Sequence, residues 1–168
     1  QNAGAWKLDR LGQGVRSCTQ LGLIYSIAAF GAMLAFAPQC AMLFLDPQEP
    51  QLQLLVSLTT QYIVAQTAFF FPLALVNIVR FSIQGMGYSA FAVLAGVLEM
   101  GARTVVGCLL VPVFGYSAAC FASAAAWICA DLFLLPACAF CISRLRRLYH
   151  TRQPELADQG ASGAARSA

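Results

Sequence analysis

Charge is the scarcest commodity in this chain. Of its 168 residues, 10% are charged and 60% are hydrophobic, against roughly 25% and 45–50% in ordinary soluble domains. A chain of this length still leaves about a third of its surface wet when folded, so the apolar excess cannot all be hidden inside. That excludes a soluble enzyme. The net charge of +3 is small, and the basic residues fall at the ends of apolar blocks rather than on one face, which excludes a nucleic-acid-binding domain. Disordered chains lack this much apolar content. Strand-like alternation is missing, and lipid tolerates no open sheet edge. There is also no nucleophile–base pair, phosphate-binding loop or metal-ligand cluster, so neither enzymatic activity nor a cofactor is expected. What remains is an all-α, polytopic membrane helical bundle whose first partner is the lipid bilayer.

The few charges divide the chain into blocks. No Asp, Glu, Lys, Arg or His occurs from Ser17 to Leu45 or from Pro50 to Val79, and each stretch exceeds the ~20 apolar residues a spanning helix needs. Two more apolar blocks follow, roughly 89–111 and 117–143. Turn signals separate the blocks at Asp46-Pro47-Gln48-Glu49-Pro50, Gln84-Gly85-Met86-Gly87-Tyr88-Ser89 and Pro112-Val113-Phe114-Gly115-Tyr116. The expected organisation is a cytoplasmic loop over 1–16 and four transmembrane helices over 17–45, 52–83, 89–111 and 117–143. A disordered cytoplasmic tail is expected over 148–168. Lys7, Arg10 and Arg16 precede the first helix, Arg80 lies at the foot of the second, and Arg144, Arg146, Arg147 and Arg152 follow the fourth. The positive-inside rule then places both ends and the Gly85-Met86-Gly87 loop in the cytoplasm. The chain opens in a polar stretch without an initiator Met or a signal-peptide pattern, as though cut from a longer one.

Helix two carries a polar row at helical spacing: Thr59, Tyr62, Gln66, Phe70, Asn77, Arg80 and Gln84. Thr59, Tyr62, Gln66, Phe70 and Asn77 are candidate substrate-cavity residues, with aromatics for flat organic cations and amides for adaptable contacts. The competing reading is interhelical hydrogen bonding that holds the bundle together. Pro72 permits a kink midway. Arg80, near the cytoplasmic boundary, is expected to snorkel.

Glu99, Arg103 and Asp131 resist any boundary explanation. At ~1.5 Å per residue, Glu99 and Arg103 lie roughly 15 Å and 21 Å above the start of helix three, and Asp131 roughly 18 Å above the inner end of helix four. The similar depths suggest that Arg103 is clamped between Glu99 and Asp131. One cation with two carboxylates leaves a formal charge of −1, costly in a low dielectric unless a proton or metal cation binds. The trio is therefore either a coupling network or a buried ionic clip. Ala118, Ala122, Ala126 and Ala130 form a small-xxx-small packing ridge. Trp127 lies too deep for an interfacial anchor, whereas Tyr149 and the Arg144–Arg147 cluster suit headgroup contact. The seven cysteines, including the Cys138-x-x-Cys141 pair, read as small packing residues before redox or metal ligands.

Gln1-Asn2-Ala3-Gly4-Ala5 followed by Lys7, Asp9 and Arg10 resembles the cytoplasmic loop of multidrug and toxic compound extrusion (MATE) transporters. Pro72-Leu73-Ala74 through Asn77, Arg80, Gln84-Gly85 and Gly87 resembles the family's tenth helix and the loop after it. Phe114-Gly115-Tyr116, Ala126-Trp127 and Ala130-Asp131-Leu132 resemble its last helix. Together the matches run from about Gln1 to Arg147. The resemblance implies a fragment of the C-terminal six-helix lobe of a twelve-helix carrier, with the N-terminal lobe as its missing partner. It also implies antiport of small organic cations against H⁺ or Na⁺ across a plasma membrane (the bacterial inner membrane). The acidic residue of the family's sodium-coupled branch has no counterpart here, since no Asp or Glu occurs between Glu49 and Glu99. A related lipid-linked saccharide flippase and a non-transporting four-helix scaffold are the rival readings.

Overall fold

The computed structural model describes residues 2–5 and 7–166, with side chains through Thr151. Its elements are α1 (Leu8–Met42), α2 (Leu52–Ala68), α3 (Phe70–Gly85), α4 (Ser89–Val105), a π-helical stretch (Val106–Leu110), α5 (Val111–Phe114) and α6 (Tyr116–Arg166). Three helical stretches, Leu8–Met42, Ser89–Phe114 and Tyr116–Thr151, are long and apolar enough to cross a membrane; α2 and α3 together make a fourth, bent by 47°. No strand occurs among the described residues. The architecture is consistent with a helical membrane bundle.

α1 begins at Leu8 instead of 17, so most of the expected 1–16 loop is helical. The reason is a one-sided seam: Leu8, Leu11, Val15, Thr19, Gly22, Ser26, Ala29, Met33, Ala37 and Ala41 recur at steps of three or four and, with Phe30 and Cys40, are the α1 residues that lose exposure. Leu8 joins the core cluster together with Leu145. Farther along, the seam is made of small residues and lies against α2 and α3. A Cβ added at Gly22 would stand 3.3 Å from both Ala74 Cβ and Ile78 Cδ1. Most other α1 side chains, Leu21, Ile24, Tyr25 and Ile27 among them, are exposed.

The expected 52–83 helix is two helices meeting at Phe69. Pro72 supplies the cause. It lacks an N–H for the Ala68 carbonyl and its ring crowds that carbonyl, so the break falls one turn upstream of the proline. Pro112 acts similarly on the next span. The expected 89–111 helix passes through the π-helical stretch just before Pro112 and ends only at Phe114, which takes Pro112 and Val113 out of the expected turn. Reversal into α6 is left to Gly115, whose φ of 63° suits a residue without a Cβ. Gly87, at φ 89°, does the same between α3 and α4.

α6 does not stop near 143. Its backbone is helical to Arg166, in place of the disordered tail expected over 148–168, although Pro154, Gly160 and Gly163 in that stretch are poor helix formers. Gln1, Trp6, Ser167 and Ala168, and the side chains beyond Thr151, Arg152 included, lie outside the described residues. α6 packs on α3 and α4, and α3 also meets α1, so the core lies along α3 and α6. Val76, Val79 and Ile83 of α3 face Trp127, Ala130 and Leu134 of α6 across this core, with Ala95 contributed by α4.

Candidate functional site

The charged residues meet across α3 and α4 rather than across α4 and α6. Arg80 Nη2 donates to Glu99 Oε1. Arg103 Nη2 lies 3.6 Å from Glu99 Oε2, one helical turn along the same helix. Glu99 thus sits between two guanidinium groups, with its side chain 13% exposed against 47% for Arg103.

The expected clamp of Arg103 between Glu99 and Asp131 does not form, and Arg80 does not snorkel outward. Side-chain lean explains both corrections. Helical side chains tilt toward their own N-terminus. α3 runs down to the 86–88 turn and α4 runs up from it, so Arg80 leans up from the turn while Glu99 leans down to meet it. Arg103 leans down onto Glu99. Asp131, on a helix that runs the same way as α3, leans up and away from that meeting point.

Asp131 is consequently the exposed question of the site, although it is buried: its relative exposure is 8%. Oδ1 has no hydrogen-bond partner among the described residues, and neither does Arg80 Nε. Trp127, Ala130 and Leu134, its near neighbours along α6, are all buried and apolar or nearly so. With Arg80 included, the cluster holds two guanidinium and two carboxyl groups, so the excess of one negative charge expected from Glu99, Arg103 and Asp131 disappears from the total. It reappears locally, because both cations serve Glu99 and neither serves Asp131. A buried carboxyl without a donor is costly while charged. Arg80, Glu99 and Arg103 thus form an ion-paired cluster, and Asp131 is a separate buried carboxyl.

The polar row is divided by the break at Phe69. Thr59, Tyr62 and Gln66 lie on α2, and Phe70 and Asn77 on α3, so the 47° bend prevents one continuous stripe. Gln66 Nε2 donates to the Cys120 carbonyl of α6 at 3.2 Å, an interhelical tie. Asn77 Nδ2 donates to Leu73 O of its own helix at 2.8 Å. Thr59 and Phe70 are half-buried, and Tyr62 is exposed. A cavity of about 110 Å³ does lie at the bend, walled by Leu23, Ser26 and Phe30 of α1 with Thr67 and Phe71. None of the five candidates lines it.

Two contacts escaped the sequence reading. Arg80–Glu99 was foreshadowed by the opposed lean of antiparallel helices around a short turn. Tyr116 Oη donates to Leu58 O at 2.8 Å, joining the start of α6 to α2; nothing in the sequence signals it. Ala126 and Ala130 are fully buried while Ala118 and Ala122 are half-buried, so the deep half of the alanine ridge carries the close packing. Cys138 and Cys141 are free thiols within the core cluster.

The chain matches no known protein family, no characterised protein and no solved structure.

Proposed function

We propose that this chain is part of a secondary carrier that moves small organic cations outward in exchange for an inward cation, with Asp131 as the coupling group. The observation that carries this reading is the buried Asp131 side chain, whose Oδ1 has no hydrogen-bond partner among the described residues. Intramembrane charges are expensive and mark ion or substrate pathways more often than architecture. A lone carboxyl among apolar neighbours supports H⁺ over Na⁺ as the exchanged ion, since a proton needs only one oxygen. The motif resemblance to MATE transporters supports the carrier type, the twelve-helix context, the inner-membrane location and the inward orientation of both ends.

Gln66 fits the rival reading, in which polar groups hold the bundle together, because its amide is already engaged with α6. The break at Phe69 gives the carrier a joint between two rigid segments, as alternating access between lobes requires.

The test is gradient-driven efflux of an organic cation by the full-length protein in proteoliposomes, at matched protein content. Asp131→Asn is expected to lower H⁺-driven efflux at least tenfold while leaving cation binding within about twofold. Unchanged H⁺-driven efflux in that variant would overturn the coupling role. If Asp131→Asn fails to accumulate and Asp131→Glu accumulates but no longer transports, or if neither accumulates, the side chain serves the packing and the coupling role is overturned.

A further inference from the structure

At the opposite end of α1 from the 43–51 connection, a cavity of about 480 Å³ opens between the first turn of α1 and the late turns of α6. Lys7 and Arg10 line one wall, Arg146 and His150 the other, with Asp9 and Tyr149 between them. The walls are held together by the core, because Leu8, Leu145 and Tyr149 belong to the same packed cluster. Three fixed cations face one carboxylate, so the cavity stays cationic before His150 is counted. Asp9 is accounted for separately: it occupies the first turn of α1, where a carboxylate complements the helix dipole.

The cationic lining, with its place at the helix ends, points to an anionic occupant at the membrane surface. Arg10 lies seven residues before Ser17, the start of the uncharged run, and His150 seven residues after Ser143. At ~1.5 Å per residue both stand roughly 10 Å outside the apolar core, with Arg146 roughly 5 Å outside. The headgroup layer occupies about the first 5–8 Å beyond the acyl region on each side, so the Arg146 backbone stands inside it and the Arg10 and His150 backbones just beyond it, where a long basic side chain can reach back to a headgroup. We infer that this cavity binds the phosphate of an anionic phospholipid, with Arg10 and Arg146 as the paired cationic contacts from separate helices. Arginine suits this task because its planar fork can give two parallel hydrogen bonds to phosphate oxygens. Basic pockets between helix ends are a known way of holding anionic headgroups. The site sits apart from the Asp131 cluster and does not depend on the transport reading.

The test uses the purified full-length protein in neutral detergent, with thermal unfolding and retained lipid read by native mass spectrometry. Phosphatidylglycerol is expected to raise the unfolding temperature by several degrees relative to phosphatidylcholine. The Arg10→Gln/Arg146→Gln pair should lose that increment and retain about thirtyfold less phosphatidylglycerol, as two lost basic contacts imply. Arg16→Gln, an exposed cation on α1 outside the cavity, should behave as the parent. Lys7→Gln supplies a milder second variant if the pair unfolds in phosphatidylcholine. Equal retention in the cavity variants and the parent would overturn the assignment. So would inorganic phosphate alone reproducing the full increment, which would make the site one for a soluble phosphate.

Discussion

α1 and α6 are both long and strongly apolar, yet they occupy different places in the bundle. In the most apolar stretch of α6, 44% of residues are buried, against 11% in α1. Hydropathy places both in a membrane but does not say which is central. The number of neighbours that grip each helix does: α6 meets α2, α3 and α4, whereas α1 meets α2 and α3 along one stripe. α6 presents Ala126 and Ala130 beside Trp127 and Leu134 and is gripped by α3 and α4. α1 touches its neighbours through a seam of mostly small residues and leaves its bulky ones outside. In lipid, where burying apolar surface between helices gains little, close approach of small residues decides packing.

That contrast can be broken or sharpened by substitution, with stability read as reversible unfolding of the full-length protein in mixed micelles. The largest effect is expected at Leu134, fully buried in α6: Leu134→Ala should cost about 3 kcal/mol through the cavity it leaves. Next comes Gly22→Leu, about 2 kcal/mol, because the added atoms meet Ala74 and Ile78 across the α1–α3 contact. Gly22→Ala should be much milder, since its neighbours need give only a few tenths of an ångström. Tyr116→Phe removes the bond to Leu58 O and should cost about 0.6 kcal/mol, the usual worth of such ties in membranes. Ile24→Ala, on the outer face of α1, should fall within about 0.5 kcal/mol of the parent. If Ile24→Ala rivalled Leu134→Ala, α1 would be as central as α6 and the contrast would fail.

The sequence carried the contour of this fold and little of its interior. Apolar run lengths located the spans, Gly87 and Gly115 marked the reversals, and Pro72 foretold a bend. The positions of the breaks needed one further step, the loss of the carbonyl partner four residues before each proline. Helix ends were less legible: the charges at Asp9, Arg10 and Arg16 suggested a loop, while the seam through Leu8, Leu11 and Val15 favoured helix. The Glu99–Arg103 neighbourhood followed from spacing within one helix. The place of Asp131 did not, because depth fixes only one coordinate; rotation of α6 about its axis and the lean of each side chain decide who meets whom.

The coupling reading depends on that last point, with Glu99 satisfied by Arg80 and Asp131 left alone. Double-mutant cycles to alanine on the full-length protein test it most directly. The account predicts an interaction energy of about 1 kcal/mol or more for Arg80 with Glu99, and less than about 0.5 kcal/mol for Arg103 with Asp131. A strong Arg103–Asp131 term with none between Arg80 and Glu99 would contradict it.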